Sequence, residues 1–292
     1  MNLGMNATMK DYMPEMNENI AREVTLEDLY AFDLNGFLVV EDAVDPEVLD
    51  EVNRVVDGIQ AELGMTAEGM RNADGTVRRA YRIDNIIFRH PSFAALATSP
   101  KVLSKVANFI TYPRLKSTWL DFKAQGGGIG YHSNHSPYTP VDAYHCHNFR
   151  IHCNLLTVCY ALCDIPLEGG ALEVIPGSHK ANFPMPGDDA LQKHRVRVPL
   201  KKGSALLFSH DVNHGSLNEL PYVRRAVFTS FSTGFSANTL GGDDLYDPLF
   251  EAAPENSWEK YFFRRPKGDR DTYPQPKHLI SEEPGLGKLK RG

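Results

Sequence analysis

Apolar residues recur at helical spacing through the first third of this 292-residue chain and in short, strand-like runs through its middle. Thr25 predicts a helix start, with Glu27 and Asp28 in an acidic first turn. Gly36 ends that helix before the apolar run Phe37-Leu38-Val39-Val40, which reads as a strand. Asp45-Pro46-Glu47 marks a second start, with proline where the missing N–H is not needed. Val48, Val52, Val55, Val56, Ile59 and Leu63 then follow at helical spacing until Gly64, a stripe that predicts a helix laid on the outside of a sheet. Residues 66–80 have the composition of a loop, and Pro91 to Ile110 returns to the helical period.

The period changes between Lys116 and Ser232. STWLDFKAQ, CNLLTVCYAL, ALEVIPG, VRVPL, SALLFS and RRAVFTSFS are short, β-rich and punctuated by Gly, Pro and Asn. Such a succession after a helical preface predicts an all-β barrel or sandwich with helices packed on one side. No internal repeat is visible, and a β fold of this length is commonly one domain. The expected organisation is a disordered leader over 1–24, one domain over 25–264 and a peripheral tail over 265–292, rich in Pro, Lys, Asp and Gly.

Composition narrows the function classes. The formal net charge is −6 and no long basic run occurs, so the electrostatic footprint of a nucleic-acid binder is missing. No stretch approaches the length of an apolar membrane span. The first residues lack the basic start and apolar stretch of a signal peptide, which leads us to expect a cytoplasmic protein. The four cysteines, Cys146, Cys153, Cys159 and Cys163, crowd into eighteen residues. A zinc site usually shows C-x2-4-C pairs, of which Cys159 and Cys163 make only one, and three of the four sit in a strand-like run, where 153, 159 and 163 would share a face as small apolar fillers.

Eleven histidines are more than such a surface requires, and six of them, at 132, 135, 145, 147, 152 and 179, lie between residues 130 and 180. Clustering alone does not make a ligand, so context has to decide. The segment from Gly203 through His214-Gly215-Ser216, followed by Arg224-Arg225-Ala226-Val227, reads as two antiparallel strands joined by Leu217–Val223. In that hairpin His214, Ser216 and Arg225 can share an inward face, where the arginine needs an anion and can grip a carboxylate with its fork; the alternative is an Arg225 simply exposed on an outer face. Arg224 then belongs on the outer face. The segment Ser136–His152 should overhang the site, which makes Tyr138, Tyr144, His145, His147 and Arg150 candidates for substrate contact or, equally, parts of a packed loop. Asn154 points inward if Leu156 and Val158 are core.

Three pieces carry a family resemblance: G-G-A-L-E-V-I-P-G-S-H-K (169–180), the glycine at 203 before an apolar strand, and H-G-S-x8-R from His214 to Arg225. With the opening D-x-x-x-F-x-x-x-G-F-L-V-V (Asp28 to Val40), they resemble the phytanoyl-CoA dioxygenase family of iron(II)/2-oxoglutarate oxygenases over roughly residues 25 to 235. The resemblance implies a double-stranded β-helix of the jelly-roll, cupin-like kind with flanking α-helices. It implies His132 and His214 as ligands of a mononuclear Fe(II), Arg225 and Ser216 on the distal carboxylate of 2-oxoglutarate, and Lys123 as a further cosubstrate contact. His179 falls in the family's loop motif and is not expected to bind metal.

Asn134 departs from the family, whose H-x-D supplies a carboxylate at that place. A neutral amide is a weaker ligand and leaves the metal one negative charge short of the usual two histidines and a carboxylate. Asn134 could coordinate weakly or through water, Asp142 could serve instead, or the position could take chloride as in 2-oxoglutarate halogenases. A register using His135 would put Pro137 at the third position and is poorer. The expectation is an oxygenase that takes O2 and hydroxylates an unactivated C–H bond of a small molecule. A halogenase and a non-catalytic ligand-binding barrel stand as alternatives, and a cupin-like enzyme without 2-oxoglutarate would leave Arg225 unexplained.

Overall fold

A computed structural model describes residues 24–266 except 111, 134–142, 148–149, 182, 184–186, 239–240 and 256. The expected leader and nearly all of the expected tail lie outside the described residues, as do Asn134, His135, Tyr138 and Asp142.

Local chemistry sets the helices much as the pattern predicts. Helix α1 (Leu26–Asn35) opens on a capping box: Thr25 Oγ1 accepts the Asp28 N–H at 3.0 Å, and the Asp28 carboxylate accepts the Thr25 N–H at 2.9 Å. Its end falls at Gly36, whose φ of 82° suits glycine, and a Cβ there would meet His179 Nδ1 at 2.5 Å. Helix α2 (Pro46–Leu63) has Asp45 as N-cap and left-handed Gly64 at its end. The helical run from Pro91 divides into α3 (Pro91–Ala97) and α4 (Pro100–Phe109), because proline cannot continue the helix and takes the first position of the next.

The described residues form fourteen strands: β1 (Phe37–Val40), β2 (Met70–Arg71), β3 (Val77–Arg78), β4 (Ala80–Asp84), β5 (Pro113–Lys123), β6 (Gly128–His132), β7 (His145–His147), β8 (Arg150–His152), β9 (Leu155–Ala161), β10 (Leu172–Val174), β11 (Val196–Val198), β12 (Ala205–Ser209), β13 (His214–Leu217) and β14 (Arg224–Thr233). The large sheet runs β1-β12-β9-β14-β5-β4 and the smaller one β11-β10-β13-β6, every pairing antiparallel. The two sheets make a mainly β jelly roll and do not close into one barrel. Strands β2 and β3 form a small hairpin in the expected 66–80 loop.

Alternation along the large sheet separates two apolar layers. Leu120, Phe122, Leu156, Val158, Tyr160, Ala205, Leu207 and Val227 face the helices, where they pack with Phe32, Val52, Val56 and Phe109. The Phe32 and Phe109 rings stack at 4.0 Å, which adds about 0.5–1.5 kcal/mol to their burial. Cys159, Ala161, Leu206, Phe208, Ala226 and Phe228 face the other way, toward Leu172 and Val174 of the small sheet. Cys153 belongs to the helix-backed layer and Cys159 to the inner one, so the cysteines do not share a single face. All four thiols are free. No helix among the described residues is long and apolar enough to cross a membrane.

Candidate active site

His132 ends β6 and His214 begins β13, and the antiparallel register sets them directly opposite one another. Their ring centroids are 4.2 Å apart. Each ring is held by its own chain: His132 Nδ1 meets the Gly130 carbonyl at 2.9 Å and His214 Nδ1 meets the Val212 carbonyl at 2.8 Å. A carbonyl can only accept, so Nδ1 carries a proton, and in the neutral ring Nε2 then keeps the lone pair, the tautomer a metal needs. His214 is buried, and desolvation, followed by the neighbouring His210 and His132, holds its pKa well below the ordinary value. The ring is therefore neutral and able to ligate at physiological pH.

His210, which sequence reasoning missed, joins this pair. It lies in the turn between β12 and β13, where no strand period draws attention to it. Its ring centroid is 5.4 Å from that of His214 and 6.2 Å from that of His132. Burial, with His132 the next cause, pushes its pKa down to about 4. One ring nitrogen from each of the three histidines falls within 4.8 Å of the others. The H-x3-H spacing before Gly215 was the available signal.

Across the inner space stands a buried cationic group. Lys123 on β5 and Arg224 on β14 are register partners, 5% and 1% exposed. Lys123 Nζ donates to the hydroxyl of Ser216 on the opposite sheet. Asp121 takes a 2.6 Å bond from Arg224 Nη1 and lies 3.6 Å from Lys123 Nζ. Two cations therefore share one carboxylate in the interior, and Arg224 Nε is buried with no hydrogen-bond partner among the described residues. Desolvation, only partly offset by Asp121, lowers the Lys123 pKa to about 8. Like charges on neighbouring strands repel and buried cations call for anions, so this group fits an incoming carboxylate.

This corrects the expected place of Arg225. The strands carrying His214 and Arg225 are not a hairpin: β13 pairs with β6 and β10, whereas β14 pairs with β5 and β9 in the other sheet. Arg225 shares the parity of Val227, faces the helices and pairs with Asp57 on α2. Arg224 shares the parity of Ala226 and Phe228 and points into the jelly roll, with its guanidinium 5.4 Å from the Phe228 ring centre. The same parity corrects Asn154. Leu156 and Val158 are core, but on the helix side, and Thr157 is the residue that reaches the site, at 3.1 Å from His210 Nδ1.

Of the overhanging segment, Tyr144 is buried, donates to Asp33 at 2.7 Å and packs its ring against His179, which makes it a structural residue. His145 and His147 are exposed on β7, His145 stacks on His152, and Arg150 is half-buried on β8. His179 lies buried in a 3-10 turn under Gly36, away from the histidine cluster.

The metal-binding reading fits the donor chemistry: neutral imidazoles with fixed Nδ1 protons suit a divalent transition metal, and the cationic group suits a dicarboxylate. Comparisons with known proteins agree with the fold. An ectoine dioxygenase of Nocardia farcinica is 23% identical over 274 residues, covering 85% of this chain and 88% of that protein. HygX from Streptomyces hygroscopicus, solved with nickel and 2-oxoglutarate bound, superposes with a TM-score of 0.61 at 20% identity, over 73% of this chain and 88% of its own. EctD from S. alaskensis, solved with 2-oxoglutarate and 5-hydroxyectoine, gives 0.58 at 20% identity over 74% and 78%. The family model for phytanoyl-CoA dioxygenase matches residues 32–220, from α1 through β13, and the chain belongs to that family.

Proposed function

We propose that this protein is an Fe(II)/2-oxoglutarate-dependent oxygenase that hydroxylates an unactivated C–H bond of a small molecule, with O2 as co-reactant. The observation that carries the reading is the pair His132 and His214, opposed across two strands with Nε2 free, inside a jelly roll that also buries the Lys123–Ser216–Arg224 group. When bound, iron and cosubstrate supply an oxidant able to attack a C–H bond, as 2-oxoglutarate is converted to succinate and carbon dioxide.

The chain's own residues do the rest. His132 and His214 present their lone pairs, and the carbonyls of Gly130 and Val212 fix each ring's tautomer. Lys123, Ser216 and Arg224 hold the distal carboxylate of the cosubstrate, with Asp121 keeping the arginine fork in place. Phe208, packed 4.8 Å from the His214 ring, and the stacked pair Trp119–Phe228 at 5.0 Å keep water from the inner space. The four free thiols suit a reducing compartment and support a cytoplasmic location.

Calorimetric titration of 2-oxoglutarate with and without Fe(II), under anaerobic conditions, tests the reading. Binding should be much tighter when Fe(II) is present, and His214→Ala should abolish that difference. Binding that ignores the metal would favour a non-catalytic ligand-binding jelly roll.

A further inference from the structure

We propose that His210 is the third protein ligand of the metal, so that His132, His210 and His214 hold it through three neutral imidazoles. This rests on the oxygenase reading above and specifies its metal site.

The geometry suits one ion. Metal–imidazole bonds are about 2.0–2.1 Å, so two nitrogens on one ion are at most about 4.2 Å apart. The three ring nitrogens already lie within 4.8 Å of one another and draw together by at least about half an ångström to share one ion.

The orientation of His210 matches that of the other two. Its Nδ1 meets Thr157 Oγ1 at 3.1 Å, and that hydroxyl is 2.9 Å from Ser230 Oγ. With Nδ1–H donating to Thr157 and Thr157 donating on to Ser230, Nε2 is the nitrogen left for a metal. A metal on Nε2 selects that direction of the hydroxyl chain, which then orients His210 as the two backbone carbonyls orient its partners. The turn that carries His210 is itself fixed, since its backbone N–H donates to the Leu155 carbonyl at 2.9 Å.

The donor inventory points the same way. Among the described residues no carboxylate joins the cluster. Residue 134 is asparagine, whose amide is a weak, neutral donor. Asp211, next to His210 in sequence, accepts the Tyr144 backbone N–H at 3.1 Å. A third imidazole completes the protein's share of the coordination without a negative charge. Such a set leaves the metal's full double charge to be met by the cosubstrate, and it favours the later divalent metals, for which imidazole is a preferred ligand.

Pulsed EPR of the full-length protein loaded with Cu(II), without cosubstrate, counts coordinated imidazoles through their remote nitrogens, and calorimetry with Ni(II) reads affinity. The expected result is three imidazoles in the wild type and two in His210→Ala, with the Ni(II) Kd of the variant raised by at least about 10- to 100-fold. A wild-type count of two, with Ni(II) affinity unchanged in His210→Ala, overturns the proposal and leaves the oxygenase reading standing. A wild type that binds neither metal overturns both. If His210→Ala does not fold, the wild-type count alone decides.

Discussion

Arg224 and Arg225 differ by one position and should differ in nearly everything a binding assay reads. Arg224 is buried, held by Asp121 at 2.6 Å, paired in register with Lys123, and has an Nε with no partner among the described residues. Replacing it with Gln removes a charged, forked donor. Hydrogen bonds to charged groups are each worth about 1.5–3 kcal/mol, so losing one or two should weaken 2-oxoglutarate by about 3 kcal/mol, roughly a hundredfold in Kd. Arg224→Lys keeps the charge but not the fork and should fall between. Arg225 pairs with Asp57, whose side chain is 66% exposed, and exposed pairs contribute about 0–1 kcal/mol to stability. Arg225→Gln should leave the 2-oxoglutarate Kd within about twofold. Calorimetric titration in the presence of Fe(II) under argon compares the four proteins, with thermal melts to confirm that each is folded. Loss of binding in Arg225→Gln with retention in Arg224→Gln would refute the assignment of inner and outer faces.

Lys123 gives a pH dependence with two opposite trends. Its pKa is lowered to about 8 in the folded protein, so the charged form that grips a carboxylate declines above that pH, and the 2-oxoglutarate Kd should rise. In Lys123→Arg this alkaline rise should disappear. Without ligand the sign reverses: the folded state binds fewer protons than the unfolded one between about 8 and the ordinary value of 10.5, so unfolding free energy should increase with pH across that window. Denaturant titrations at pH 7.5 and 9.5 check it, and a decrease would contradict the burial of this lysine. Glu173→Ala removes the acceptor of Tyr131 at 2.7 Å and of Arg197 at 2.7 Å, and should cost about 2–3 kcal/mol in urea unfolding. Gly36→Ala combines a positive φ with a collision on His179 and should lower stability by more than about 1 kcal/mol, measured the same way.

The helices between Leu26 and Phe109 and most strands were legible because their signals are local, whereas the short helices Asp188–Leu191, Asp247–Ala252 and Trp258–Phe262 were not. Thr25, Pro46 and Gly64 act through caps and φ preferences that operate within a few residues. The runs around Leu156, Leu206 and Val227 carry enough β-branched and apolar residues to declare themselves. His132 and His214 were found through their flanking motifs, and the register then placed them opposite each other. The orientation of the arginines was not legible. Strand side chains alternate with period two, so treating β13 and β14 as one hairpin instead of members of different sheets shifts the parity and reverses every face. The same parity hid Thr157, because two buried layers flank the large sheet and an apolar neighbour does not tell which layer it joins. Strands β4 and β6 were missed for lack of apolar runs: Tyr81 and Ile83 alternate with charged residues, and Gly128 and Gly130 dilute the second. His210 sits in a turn, where only the three-dimensional approach of β12, β13 and β9 makes it part of a site.

The measurement that bears most directly on the central claim is an anaerobic optical titration of the purified protein with Fe(II) and 2-oxoglutarate. It should show a weak visible charge-transfer band from the metal–cosubstrate chelate that needs both components, is lost in His214→Ala and is displaced to much higher 2-oxoglutarate concentration in Arg224→Gln. A folded wild-type protein that gives no band at any ratio of the two would contradict the assignment of this site to iron and 2-oxoglutarate.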